Sequence, residues 1–216
     1  SERTTRPSPG HPRAAGSLAA RGRRPALLLG RDQSGEACDH LVDRHVARVD
    51  EDLPLDQDRF ISAVLREDEF QKRMSGPEFR FLLGQRYAAQ EKANKVPEGL
   101  LALCARKAIP IFVGAPADGS VFLNSVYLWA LEKCFGDEFR FELDLNQEVF
   151  ESCAFHRWGT KENAAGAIGT LILGGGVPKN FNLQPEPTLS QILGLQGVPG
   201  YLYDIQITTA PLHDGS

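Results

Sequence analysis

Three apolar runs end abruptly in polar or glycine-rich residues, and this repeated ending is the feature that most constrains the fold. The runs are 109–115, 171–173 and 201–210, and they lead into Asp-Gly-Ser, a glycine triplet and a second Asp-Gly-Ser. In an open, mostly parallel sheet, ligands bind in the crevice outside the carboxyl ends of the strands. The pattern therefore predicts three strands whose loops build one site of nucleotide size.

The segments around these runs have the spacing of helices. Apolar residues that recur every three or four positions predict helices at 56–74, from 76 to about 88, at 100–108, at 121–135 and at 188–194. Apolar residues dominate the fourth of these segments, so we expect that helix to be largely buried.

Two interpretations are open for residues 139–145. Their alternation of apolar and charged residues predicts a half-exposed strand, but the segment could also lead directly into a helix at 147–158. Residues 177–187 are rich in Asn and Pro, which predicts a loop. Because strands alternate with helices along the chain, we expect an α/β fold with a parallel sheet and right-handed crossovers.

Composition limits the class of protein. The chain has 216 residues, of which 42% are hydrophobic and 24% charged, and these values are typical of one soluble globular domain. The net charge of -4 gives no reason to expect a nucleic acid, and no apolar stretch is long enough to cross a bilayer. The four cysteines are widely separated, without a Cys-x-x-Cys pair, which is typical of a reducing cytosol. We therefore expect a cytoplasmic protein without a nucleic-acid or membrane partner.

The first part of the chain differs from the rest. Residues 1–30 contain six arginines, no lysine and one acid among many Pro, Gly, Ala and Ser residues, a composition that buries too little apolar surface to offset chain entropy. We predict a disordered or atypical segment over 1–55 and one α/β domain over 56–216. The first segment also holds five potential metal ligands, but their spacing fits no standard structural zinc pattern, so we predict no metal site. They are Cys38, Asp39, His40, Asp43 and His45.

Four motifs follow one another along the second segment. They are Ala-Asp-Gly-Ser at 117–120, Leu-Gly-Gly-Gly-Val-Pro-Lys-Asn at 173–180, Ile-Thr-Thr-Ala at 207–210 and Asp-Gly-Ser at 214–216. In this order and at this spacing they resemble the deoxyhypusine synthase family, over roughly residues 76–216. The resemblance implies a Rossmann-like parallel sheet flanked by helices, the NAD-binding fold of that family, in an incomplete form.

The resemblance also implies an NAD-dependent transferase. Family members use NAD to oxidise spermidine, hold the aminobutyl fragment as an imine on an enzyme lysine, and pass it to a lysine of a translation factor or to another amine, as in a homospermidine-synthase-like enzyme. They are tetramers with sites shared across subunits, so we expect a homo-oligomer. The lysine belongs to a Trp-Gly-Lys segment that we expect beyond Ser216, so we predict no catalytic residue within this chain. A truncated, non-catalytic paralogue or subunit is the alternative.

Individual roles follow from the same resemblance. The carboxylate of Asp118 would accept hydrogen bonds from ribose hydroxyls, although Asp118 or Ser120 could instead cap the next helix. The glycine triplet allows positive φ angles and leaves room for a dinucleotide, with a tight turn that binds nothing as the alternative. The predicted cofactor-binding residues are Asp118, Gly175, Gly176, Thr209 and Ala210. The predicted substrate-binding residues are Asn180, Gly215 and Ser216.

Two positions depart from the family pattern. Five residues after the first Asp, where the family has an Asp that holds a polyamine ammonium, this chain has Leu123, which cannot pair with a cation. Asn180 replaces a His that follows the lysine of the glycine loop, and Asn cannot transfer a proton near pH 7. We therefore expect altered polyamine recognition. Trp-Gly-Thr-Lys at 158–161 precedes the glycine triplet and has one residue too many, so we interpret it as a coincidence.

Overall fold

Helices make up most of the first half of the described chain. The structure is a computed structural model, and it describes residues 57–136, 138–162 and 165–209. The predicted disorder of 1–55 and the five potential metal ligands lie outside the described residues. The helices of this half are α1 (Gln57–Leu65), α2 (Gly76–Asn94), α3 (Leu100–Arg106) and α4 (Ser120–Phe135).

Helix α1 is shorter than the sequence predicts. It ends at Leu65, and the chain continues through a 3-10 turn, Asp68–Phe70, into the short strand β1, Arg73–Met74. The side-chain amide of Gln71 donates a hydrogen bond to the Leu65 carbonyl oxygen, which satisfies one of the acceptors left at the helix end. The predicted helix over 56–74 is therefore wrong beyond residue 65.

Helix α2 begins where the sequence predicts. Ser75 is its N-cap and accepts a hydrogen bond from the backbone N–H of Glu78, and Pro77 occupies the first turn, where its missing N–H costs nothing. Helix α3 packs closely on α2 at Gly84, because a Cβ there would lie 2.6 Å from the carbonyl oxygen of Leu101. The core between α1, β1 and α2 is apolar, with buried Ile61, Val64, Leu65, Phe70, Met74, Phe79, Leu82 and Leu83.

Helix α4 forms as predicted, but the prediction that it is largely buried is wrong. Leu128 and Leu131 are buried, whereas Leu123 is 56% exposed and Trp129 is 52% exposed. One side of the helix faces α1 through a polar contact, in which the Asn124 side chain accepts from the Ser62 hydroxyl and donates to Asp58. The apolar composition of α4 thus exceeds what its packed side can bury.

Residues 109–115 do not form the predicted strand. The chain is irregular there, and two of its backbone groups bond to side chains instead of to a neighbouring strand. The Val113 N–H donates to Glu148 and the Ile111 carbonyl oxygen accepts from Arg80. An apolar, β-branched run therefore remains irregular because an ion pair supplies its hydrogen-bond partners.

The second half of the described chain alternates strands and helices. Strand β2 pairs in parallel with β1, and β3 pairs in parallel with β4 as a separate two-stranded sheet. This confirms an α/β fold with parallel strands. The elements are β2 (Glu142–Leu143), α5 (Leu145–Arg157), a π-helical turn (Trp158–Glu162), β3 (Gly169–Leu173), α6 (Val177–Leu183), a helical turn (Pro185–Pro187), a π-helical turn (Thr188–Ile192) and β4 (Tyr203–Ile207).

The open question at 139–145 is resolved by this order. Only Glu142 and Leu143 form strand β2, and Asp144 then caps α5 by accepting a hydrogen bond from the Gln147 N–H. Helical structure at 188–192 confirms the start of the predicted helix at 188–194. Among the described helices, none combines the length and the apolar character needed to span a bilayer.

Candidate functional site

The glycine triplet and Thr209 follow two strands that end together. Strands β3 and β4 run parallel in a register that places Leu173 opposite Ile207, and the Gly174 N–H donates to the Ile207 carbonyl oxygen at 2.8 Å. Gly175 and Thr209 each come two residues after these partners. The structure therefore brings these two predicted residues to the same edge of the sheet.

The triplet itself has conformations that favour glycine. Gly174 has a φ of 95°, and Gly176 has a φ of 69° with a ψ of -144°. A Cβ built on either residue would meet no atom within 4 Å, so the space above the turn is open. A loop with this shape fits a ligand that passes close over the backbone.

The loop predicted after the triplet is instead helix α6. Gly176 is its N-cap, and Asn180 donates its N–H to the Gly176 carbonyl oxygen at 3.0 Å. Pro178 lies in the first turn, a position where proline starts a helix, so the prediction from Pro178 and Asn180 was wrong. Asn180 is exposed on this seven-residue helix.

Gln206 joins the triplet to β4 and α6, although no sequence motif predicts a role for it. Its Nε2 donates to the Gly174 carbonyl oxygen at 2.8 Å, and its Oε1 accepts from Lys179 Nζ at 3.0 Å. The signal in the sequence was a polar residue between Ile205 and Ile207 in an apolar strand. These two bonds join the three segments that surround the glycine turn.

Asp118 lies at the end of a 3-10 turn, Pro116–Asp118, directly before α4. Its side chain is exposed and makes no hydrogen bond or ion pair within the part of the chain that the structure describes. The N-cap of α4 is Gly119, without a side-chain hydrogen bond, so the alternative in which Asp118 or Ser120 caps the helix is wrong. The carboxylate is free to accept hydrogen bonds from a ligand.

The segment before Asp118 packs against the helix that follows the triplet. A Cβ on Gly114 would lie 2.8 Å from Phe181 Cβ and 3.0 Å from Val177 Cγ1, and the Phe112 and Phe181 rings are 6.1 Å apart. Gly114 thus permits close approach between this segment and α6. From this contact with α6 the chain continues to Asp118, four residues after Gly114.

A cavity of about 590 Å³ separates this segment from β3. A polar chain lines part of it, in which the Tyr201 hydroxyl donates to Asn182 and the Asn182 amide donates to the Thr170 hydroxyl oxygen. Burial raises the pKa of the Tyr201 hydroxyl, with a smaller contribution from Asp204, so the group stays protonated and can donate. His156 is buried beside it and bonds to the Pro199 carbonyl oxygen at 2.8 Å, which makes it a structural residue of this wall.

The comparisons with known proteins decide the family. Residues 43–216 match the model of the deoxyhypusine synthase family. The chain belongs to the deoxyhypusine synthase family. The resemblance noted from the four motifs is thereby confirmed.

Curated members of the deoxyhypusine synthase family include relatives from bacteria and archaea. A deoxyhypusine synthase-like protein of Cyanothece is 39% identical over 165 residues, which cover 74% of this chain and 40% of the relative. One from Nostoc punctiforme is 38% identical over 160 residues, covering 74% and 39%. The probable deoxyhypusine synthase 2 of Methanosarcina mazei is 28% identical over 191 residues, covering 82% and 50%. The chain thus spans about two fifths to one half of the length of these relatives.

The two departures from the pattern of the deoxyhypusine synthase family lie on different elements. Leu123 is exposed in the first turn of α4, and Asn180 is exposed on α6. The other predicted site residues, Ala210, Gly215 and Ser216, lie outside the described residues.

Proposed function

We propose that this chain binds NAD at the edge formed by the glycine triplet, Thr209 and the Asp118 loop, as part of a Rossmann-like arrangement of parallel strands. The observation that carries the proposal is the shared end of β3 and β4, from which Gly175 and Thr209 both emerge. Parallel strands bind ligands at this end. Family membership supports the same cofactor.

The residues at this edge fit a dinucleotide. The open space over Gly174 and Gly176 leaves room for a ligand against the backbone. The unbonded carboxylate of Asp118 would accept hydrogen bonds from ribose hydroxyls, and the Thr209 hydroxyl would donate or accept one. Ala210, next in the chain, would contribute an apolar contact. When bound, NAD supplies a hydride acceptor for an amine and later returns the hydride.

We further propose that the activity is the transfer of an aminobutyl group from spermidine to a protein lysine, such as that of a translation factor, or to another amine. The remainder of spermidine would leave as 1,3-diaminopropane. Asn180, Gly215 and Ser216 would contact the substrate. The functional unit would be a homo-oligomer, a tetramer as the resemblance implies. These roles rest on the family and on the position of Asn180, one helical turn after Gly176 of the glycine triplet.

A second candidate is a paralogue that binds NAD but transfers no amine. Leu123 favours it, because an exposed leucine stands where a cation-binding carboxylate is expected, and a leucine cannot hold an ammonium group. Asn180 favours it as well, since an amide cannot act as a general base. In this case NAD binding remains and spermidine binding is lost.

Calorimetric titration of the purified chain with NAD tests the first proposal. We expect saturable binding that Asp118→Asn weakens, because the amide replaces one acceptor oxygen with a donor. The matched control is Asp68→Asn. It changes an acid in another 3-10 turn, Asp68–Phe70, which lies well before Asp118 in the sequence. Absence of NAD binding by the unchanged chain at millimolar concentration contradicts the proposal.

A second titration, with spermidine in the presence of NAD, separates the two candidates. Saturable binding of spermidine in the presence of NAD supports the transferase. Binding of NAD without any spermidine binding supports the non-catalytic paralogue. The variant Leu123→Asp tests the second candidate more sharply. If that candidate holds, the variant should restore spermidine binding, because a carboxylate can pair with the ammonium group.

A further inference from the structure

A buried ion pair lies behind the segment that leads to Asp118. Arg80 of α2 donates through Nη1 to Glu148 Oε1 of α5 at 2.8 Å, and the two side chains are only 9% and 2% exposed. Burial lowers the pKa of the Arg80 guanidinium, and the attraction of Glu148 opposes this effect. A pair this deeply buried needs further hydrogen bonds to offset its lost hydration.

Those further bonds go to the backbone of residues 111–113. Glu148 Oε1 also accepts from the Val113 N–H at 2.9 Å, and Arg80 Nη1 also donates to the Ile111 carbonyl oxygen at 3.3 Å. Arg80 Nη1 and Glu148 Oε1 thus each bond both to the other side chain and to the backbone of residues 111–113. Among the described residues, Glu148 Oε2 has no hydrogen-bond partner, so Oε1 alone carries the contact.

The space for this pair depends on a glycine. A Cβ built on Gly76 would overlap both Arg80 Nη1 and Glu148 Oε2. The pair is therefore fitted between α2 and α5 with no room to move towards the start of α2. Its geometry fixes residues 111–113 with respect to two helices.

The anchored segment continues directly into the candidate site. Gly114, the residue after Val113, touches Val177 and Phe181 of α6, and Asp118 follows four residues later. A shift of Val113 would carry Gly114 out of its close contact with α6. The separation between the Asp118 loop and the glycine turn therefore depends on where the ion pair holds Val113.

We propose that Arg80 and Glu148 are positioning residues that hold residues 111–113 so that the Asp118 loop stands in reach of a ligand bound at the glycine turn. This inference rests on the proposed NAD site. Neither side chain touches that site, and both act through the backbone of residues 111–113. No such role follows from the sequence motifs.

The test compares Glu148→Gln with Arg86→Gln in the full chain. Glutamine keeps the volume of Glu148 and removes its charge, which leaves Arg80 buried without a counter-ion. Arg86 is the matched control, because it lies on the same helix and pairs with Glu67 and Glu69 away from the segment. Hydrogen exchange of the amides at 113–119 is measured without ligand, and the Kd for NAD is measured by titration.

We expect Glu148→Gln to speed exchange at 113–119 by about tenfold and to weaken NAD binding, while exchange in α1 stays unchanged. A merely structural role would destabilise all elements alike and would leave the Kd of the folded protein unchanged. We expect Arg86→Gln to alter neither the segment nor the Kd. If Glu148→Gln does not fold, Arg80→Lys takes its place, since lysine keeps the charge but offers a single donor group.

The outcomes separate this inference from the proposed function. Unchanged exchange at 113–119 in the variants overturns the positioning role, whatever the result with NAD. Faster exchange with an unchanged Kd overturns it too, because the loop then moves without effect on the ligand. If the unchanged chain binds no NAD, the proposed function fails, and the exchange data alone decide whether the pair holds the segment.

Discussion

At the scale of single residues, the glycine turn depends on backbone conformations that side chains rarely adopt. Gly176 has a φ of 69° and a ψ of -144°, in a region of the φ/ψ map that glycine alone occupies at low cost. We predict that Gly176→Ala lowers the free energy of unfolding by about 1–3 kcal/mol. Thermal unfolding followed by circular dichroism measures this change.

Gly200→Ala is the control for that variant. Gly200 also has open space around it, but its φ is not positive, so alanine should change stability by less than about 0.5 kcal/mol. An equal loss of stability in the two variants contradicts a special conformation at Gly176.

Protonation of the Asp144 carboxylate makes the stability of the folded protein depend on pH. The hydrogen bond from Arg73 lowers the pKa of its carboxyl, and the bond from the Gln147 backbone N–H adds to this effect. A carboxyl with a lowered folded-state pKa stabilises the fold above its unfolded pKa of about 3.9, and this stability is lost as the pH falls through the folded value.

We therefore predict that the unfolding temperature falls as the pH drops below about 4, and that Asp144→Asn reduces this dependence. Asparagine keeps an acceptor for the Gln147 N–H but has no charge for Arg73. Melting curves between pH 7 and pH 2 measure the effect, with Asp68→Asn as the control. An identical dependence of unfolding temperature on pH for the unchanged protein and Asp144→Asn contradicts the role given to Asp144.

At the scale of elements, the contact between α2 and α3 is set by one small residue. A Cβ on Gly84 would lie 2.6 Å from the carbonyl oxygen of Leu101 and 2.7 Å from Ala105 Cβ. We predict that Gly84→Ala destabilises the protein by about 1–3 kcal/mol through overpacking, although alanine raises helix propensity by about 1 kcal/mol. Denaturant unfolding measures the net change.

The control for Gly84→Ala is Gln85→Ala, which places alanine at the next, exposed position of α2. That variant should be neutral or slightly stabilising, because it changes helix propensity alone. A stabilised Gly84→Ala protein means that the two helices can move apart, against the packing described for them.

The sequence predicted elements best where local pattern and tertiary contacts agree. Helix α4 and strands β3 and β4 form within a few residues of their predicted positions. Residues 109–115 fail as a strand because Arg80 and Glu148, distant in sequence, take their backbone bonds. An arginine within the apolar stripe of α2 was the only local sign of this buried pair.

The candidate site was predictable in part for the same reason. Glycines with positive φ were expected from the triplet, because only backbone sterics are involved. The helix after the triplet was missed, since Pro178 permits a first helical turn as readily as a loop. Gln206 was missed because its bonds to Gly174 and Lys179 exist only once β3, β4 and α6 are together.

At the scale of the whole molecule, the proposed NAD site is built from three loops that contact one ligand. Parallel pairing of β3 with β4 brings two of them to one edge, and the contact of Gly114 with α6 leads the third towards it. The second small sheet, β1 with β2, leads directly into α2 and α5, the helices that carry Arg80 and Glu148. The site thus draws on both halves of the described chain.

Hydrogen exchange with and without saturating NAD tests this convergence most directly. We predict slower exchange in all three loops, at 117–119, 174–177 and 208–209, and no change in α1. Protection that is confined to one loop, or absent from all three, contradicts a common site.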